Sequence, residues 1–170
     1  MNKLSPEKQE QVILALVEGN SIRATVRMTG VAKNTSTKLL RSVGRACANY
    51  QDQAFRKLSC KHIQCDEIWA FCYAKEKNVP DDKKGHFGYG DVWTFTAICA
   101  YSKLVPSWFL SNRDIESATI FLRDLTSRLS NSIQLTTDGH KMYLYAVESA
   151  FGSDIDFSQL VKIYGQSPEG

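Results

Sequence analysis

Two apolar stretches of this chain each carry a carboxylate, and that conflict constrains the fold more than any other feature. Residues 62–73 run His-Ile-Gln-Cys-Asp-Glu-Ile-Trp-Ala-Phe-Cys-Tyr, the signature of one long strand rich in aromatic and aliphatic side chains. Asp66 and Glu67 stand adjacent within it. Side chains alternate faces along a strand, so the two carboxylates must point in opposite directions. A carboxylate in such surroundings costs several kcal/mol unless it is ion-paired, hydrogen-bonded or bound to a cation. Residues 133–140, Ile-Gln-Leu-Thr-Thr-Asp-Gly-His, repeat the pattern: an apolar strand ending in Asp138 and a glycine turn. The expectation is that Asp66 and Asp138 meet at one site, with Glu67 on the opposite face paired to a lysine or arginine.

The elements between and after these strands supply a frame for that meeting. Residues 75–91 are turn-rich. Gly85, Gly88 and Gly90 there do not form a phosphate loop, because another strand (92–100) follows rather than a helix. A tight link at 101–103 leads to a third strand (104–110), so the first three strands read as an antiparallel meander. Asp114 or Ser117 caps a helix whose inner stripe is Ala118, Phe121, Leu122, Leu125 and Leu129. The strand bearing Asp138 follows, then a helix at 141–151 and a short strand at 160–164. The order β-β-β-α-β-α-β predicts a mixed sheet covered by helices, the order of a ribonuclease H-like α/β fold. In such a sheet the first and fourth strands can lie side by side. Paired carboxylates are hard oxygen donors suited to Mg²⁺ (or Mn²⁺). Two such ions can activate an attacking oxygen and stabilise a leaving one in phosphoryl transfer.

The N-terminal third differs in charge and in periodicity. Residues 1–61 hold 11 Lys and Arg against 4 Asp and Glu, whereas residues 62–170 hold 10 against 14. A basic segment at +7 is thus joined to an acidic one at −4, which marks an anion-binding module. Ser5 with Pro6 starts a helix over 6–17, with Val12, Ile13, Leu16 and Val17 at helical spacing. Ser21 caps a second, over 22–28, closed by Gly30. A third runs over 33–48 with Leu39, Leu40, Val43 and Ala46 inward. Three short helices with a glycine turn form a helix-turn-helix pattern. Lys33, Asn34, Thr35, Thr37, Lys38 and Arg41 on the third helix can contact phosphates and base edges of double-stranded DNA. A small helical bundle with a solvated basic face is the plainer alternative. The domains expected are therefore a DNA-binding head and linker over 1–61 and a catalytic domain over 62–170.

Other features fit a soluble, intracellular protein. Five cysteines at irregular spacing suit a reducing cytoplasm. No apolar run reaches the roughly 18 residues of a membrane helix, and the polar start reads as lacking a secretory signal. Cys60, His62 and Cys65 match no strong zinc pattern and read as buried thiols beside a histidine. His140 is either a phosphate contact or a turn residue. Asp91 is either a cap or a remote influence on the site. Trp69, Trp93 and Trp108 are expected in the core.

The motifs at residues 64–69 (Gln-Cys-Asp-Glu-Ile-Trp), 72–75, 90–94 and 135–140 resemble those of bacterial insertion-sequence transposases of the IS-one type, in the DDE superfamily. The resemblance covers nearly the whole chain. It implies a ribonuclease H-like catalytic domain, Mg²⁺ dependence, and cutting and joining of DNA at the terminal inverted repeats of a mobile element. It implies also a homo-oligomer in a bacterial cytoplasm, associated with the nucleoid. Asp66 and Asp138 match the first two acids of the triad. The third, a helical Glu, should lie beyond Tyr164, and neither Glu148 nor Glu169 matches its motif. The cysteine zinc finger of some members has no counterpart before Cys47. On this reading the chain resembles a truncated transposase, weak as a nuclease by itself. A DNA-binding fragment that occupies element ends without cutting is the alternative.

Overall fold

A computed structural model describes residues 4–162. The chain divides into two compact units, with the boundary between Ala54 and Phe55. No described helix is long and apolar enough to cross a membrane.

The first unit contains α1 (Pro6–Val17), α2 (Ile22–Thr29) and α3 (Lys33–Ala54). The local chemistry is that of the sequence signals. The Ser5 hydroxyl accepts from the Lys8 amide at 3.4 Å, and Ser21 does the same for Ala24 at 3.2 Å. Gly30 closes α2 at φ +72°, a left-handed conformation that a β-carbon disfavours. Packing departs from the expected stripe. Val12 and Ala15 of α1 are buried, together with Thr25, Thr29, Val31 and Ser36. The buried hydroxyls bond to carbonyls of their own or the preceding helical turn, Thr29 to Thr25 at 2.8 Å for example, so burying them leaves no orphan donor. Leu40 and Ala46 are instead exposed, as is Val17 at the end of α1. The reason is length. Helices of 12 and 8 residues span about 18 and 12 Å, too short to cover the 22 residues of α3.

The second unit is a five-stranded sheet in the order β3-β2-β1-β4-β5. Its strands are β1 (His62–Cys72), β2 (Gly90–Cys99), β3 (Ser107–Ser111), β4 (Gln134–Asp138) and β5 (Asp156–Leu160), with α4 (Ile115–Arg128) and α5 (Met142–Phe151) between the later ones. β1, β2 and β3 form an antiparallel meander, and β4 joins β1 in parallel, followed by β5. This mixed α/β arrangement is compatible with a ribonuclease H-like fold. Asp114 caps α4, its carboxylate accepting from the Ser117 amide at 2.8 Å. The core lies between the sheet and the two helices, built from Ile63, Phe95, Phe121, Leu122, Leu125, Leu135 and Tyr143 among others, all fully buried.

Several expectations need correction. The last strand lies at Asp156–Leu160 rather than 160–164. The turn at Gly152 returns the chain at once, and Phe157 packs against the core opposite Leu135. Tyr164 lies outside the described residues. Trp69 and Trp108 are exposed, at 39% and 47%. Trp69 sits where β1 runs on past its last pairing with β4, and Trp108 faces outward on the edge strand. Asp91 is a cap: its carboxylate accepts from the Glu76 amide at 3.0 Å in the turn that joins β1 to β2.

Candidate active site: carboxylates on adjacent strands

Strand register places Asp66 beside Asp138. The last parallel pair of the β1–β4 ladder is Gln64 with Thr136. Two residues further along each strand come Asp66 and Asp138, on the same face as their predecessors because side chains alternate. Ladder neighbours lie about 4.8 Å apart, so two aspartates must share one spot. Around them the sheet face opens into a cavity of about 670 Å³, lined by Asp66, Thr96, Arg113, Asp138, His140 and Lys162 among others.

Glu67 is the surprise. It does leave the sheet on the other face, where its side chain is wholly buried, and it does pair with an arginine. The pairing nevertheless brings it into the cluster: one carboxylate oxygen each of Asp66, Glu67 and Asp138 lies within 4.8 Å of the others. The agent is Arg113, one residue before the α4 cap. Its Nε donates to Glu67 Oε2 at 2.9 Å and its Nη2 to Asp138 Oδ2 at 3.0 Å. The guanidinium lies over the face of Trp93, 4.6 Å from the ring centre, a cation–π contact that fixes its plane. The Tyr143 hydroxyl, from α5, donates to the remaining oxygen, Glu67 Oε1. Burial, then the nearby charges of Cys65 and Glu67, push the Tyr143 hydroxyl far above its ordinary pKa, so it stays a donor. Burial likewise raises the Cys65 thiol, with the charges of Glu67 and Asp66 adding to the effect.

Asp66 keeps more freedom than Asp138. Asp66 Oδ1 accepts from the Glu67 amide at 2.8 Å, while Oδ2 makes no hydrogen bond among the described residues. Asp138 Oδ1 accepts from the His140 amide at 3.1 Å, across a turn in which Gly139 lies close against Val161. His140 Nδ1 accepts from the Met142 amide at 3.3 Å, directing the ring by its own helix start. The donors are all hard carboxylate oxygens. Three carboxylates and one guanidinium sum to −2, the charge a single divalent cation balances. The residues present are therefore compatible with a divalent cation.

The DNA-facing candidates belong to the first unit. Lys33, Asn34, Thr35, Lys38 and Arg41 are exposed on α3. Thr37 is half-buried, and its hydroxyl donates to the Lys33 carbonyl at 2.9 Å. Cys60 and Cys65 are core residues, and His62 stacks against Tyr101 at 5.2 Å. Arg113 and Tyr143 were not foreseeable from the sequence. Its only signal was that a carboxylate in an apolar strand requires a partner, without saying which one.

No protein-family model and no curated protein matches the chain. Among solved structures it is similar to a Mos1 transposase paired-end complex with the left transposon end, at 12% identity and a TM-score of 0.37. The superposition covers 92% of this chain and 60% of that one, so the chain spans less than two thirds of its neighbour's length.

Proposed function

We propose that the protein is a DNA-processing enzyme of the DDE transposase type, in which Asp66 and Asp138 hold a divalent cation for DNA strand cleavage and transfer. The observation that carries the reading is the juxtaposition of these two aspartates, Asp66 within β1 and Asp138 at the end of the parallel β4, on an open sheet face. The sequence motifs around them, which resemble insertion-sequence transposases of the IS-one type, supply the reaction class. A bound Mg²⁺ would polarise the scissile phosphate and lower the cost of forming the attacking oxyanion. The chain's own contribution is to pre-position the oxygens. The His140 amide orients Asp138 and the Glu67 amide orients Asp66, so both carboxylate planes are set by the backbone before a cation arrives. His140 and Lys162 at the cavity rim are placed to meet phosphate.

DNA delivery falls to the first unit as a helix-turn-helix head. Lys33, Lys38 and Arg41 would bind phosphates, and Asn34, Thr35 and Thr37 lie toward the helix start, where base edges are read. The partner is then double-stranded DNA, the terminal inverted repeats of a mobile element, bound by a homo-oligomer in the bacterial cytoplasm. The non-catalytic alternative, a protein that occupies element ends, draws on one observation: Arg113 forms an ion pair with Asp138, one of the two proposed ligands.

Mg²⁺- or Mn²⁺-dependent nicking of end-containing DNA tests the proposal. Asp66→Asn and Asp138→Asn should each reduce cleavage by at least 10²-fold while leaving DNA binding intact. Cleavage that survives both substitutions defeats the assignment. DNA binding without metal-dependent cleavage selects the alternative.

A further inference from the structure

We infer that Arg113 is the resident counter-ion of the acidic site, a positioning residue that the divalent cation displaces from Asp138 and that Glu67 retains. The inference rests on the proposed metal site and assigns roles to two residues outside it. Three observations carry it.

First, Arg113 Nη2 and an incoming cation would compete for the same carboxylate. Asp138 has one oxygen committed to the His140 amide and the other to Arg113. A cation bound at carboxylate distance, roughly 2.0–2.1 Å for Mg²⁺, would bring two positive centres onto one small group. Their repulsion favours release of the contact with fewer supports.

Second, the supports are unequal. Against Asp138 the guanidinium has a single contact at 3.0 Å. Against Glu67 it has two, Nε at 2.9 Å and Nη2 at 2.8 Å, and Trp93 backs the plane. Loss of the Asp138 contact therefore leaves Arg113 tethered.

Third, Glu67 is poorly suited to be a ligand itself. Its side chain has no solvent exposure, and Tyr143 and Arg113 each hold one of its oxygens. Ligation would strip a buried carboxylate of a donor, and a buried group left short of a partner is costly. Glu67 is the anchor of Arg113. Once off Asp138, the guanidinium remains beside the cavity with free donors, placed to meet a phosphate oxygen by the bidentate geometry arginine favours.

Mn²⁺ binding to the full chain, followed by electron paramagnetic resonance in the absence of DNA, tests this. Arg113→Gln should tighten Mn²⁺ binding by on the order of tenfold, since a competing unit charge is removed. Arg113→Lys should stay near the wild-type affinity. Arg113→Gln leaves Glu67 buried without its cation, so the double variant Glu67→Gln/Arg113→Gln serves as the control for folding. It keeps both aspartates and the wild-type net charge of −2, so it should bind Mn²⁺ near the wild-type affinity. Weaker or unchanged binding in Arg113→Gln overturns the inference and marks Arg113 as inert, and binding of the double variant well below wild type overturns it by marking Glu67 as a ligand. Asp66→Asn separates the two levels. If wild-type Mn²⁺ binding does not depend on Asp66, the metal site itself is wrong; if it does, the Arg113 variants decide the counter-ion role alone.

Discussion

Asp124 shows how a single side chain can tie two elements of the second unit. Its carboxylate accepts from the Ser107 hydroxyl on β3 at 2.5 Å and, as a fork, from Arg128 Nε at 2.7 Å and Nη2 at 2.9 Å. Burial pushes the Asp124 carboxyl up, but hydrogen bonds from Arg128 and Ser107, with the charges of Arg128 and Arg56, outweigh it and hold the pKa below its ordinary value. The sign follows from linkage. A carboxylate with a lowered folded pKa stabilises the native state above its unfolded value of about 3.9, and that contribution is lost as pH falls through the folded value. Asp124→Asn should therefore cost about 1–3 kcal/mol at pH 7. In urea unfolding the difference from wild type should shrink toward pH 3. A difference that is constant with pH would mean that the carboxylate charge contributes nothing. Cys99 is shifted the other way from its buried neighbour: hydrogen bonding from Ser102 lowers its thiol to about 7, whereas burial raises Cys60 to about 11.

At the scale of elements, α4 does the most to hold the sheet. Phe121, Leu122 and Leu125 are fully buried beneath it, and Phe121 lies 5.6 Å from Phe95 of β2, ring centre to ring centre. The same helix carries Arg113 just ahead of its cap, so packing of the core face sets the position of the guanidinium. Phe121→Ala should destabilise the unit by about 3–5 kcal/mol and should also weaken any metal binding by loosening the entry to α4. Thermal unfolding with and without Mn²⁺ measures both. Loss of stability with wild-type metal affinity would show that the α4 entry is held independently of its core.

For the whole molecule, the basic helical unit and the acidic sheet unit predict two separable dependences. If α3 neutralises phosphates as proposed, binding of the full chain to DNA weakens with salt. Lys33→Ala/Lys38→Ala/Arg41→Ala should lower the slope of log affinity against log salt by about 2 to 3, near 0.9 per phosphate contact. An unchanged slope places the phosphate contacts elsewhere. Much of this organisation was legible in the chain. Caps at Ser5, Ser21 and Asp114 are local, and the alternation of Ile63, Cys65 and Leu135 against Gln64, Asp66 and Thr136 fixes the faces, so the elements and the face each aspartate takes followed from short-range rules, while the β1–β4 neighbourhood that joins Asp66 to Asp138 rested on the fold expected from the element order. The extent of α3 burial, the place of the last strand and the outward Trp69 and Trp108 did not, because each depends on how far a neighbouring element reaches. The site divides along the same line. The sequence by itself determined which carboxylates stand in apolar strands and must be compensated. Only the tertiary structure decided that Arg113 and Tyr143 compensate them and draw Glu67 into the cluster, because those partners lie 46 and 76 residues away along the chain from Glu67, beyond any local pattern.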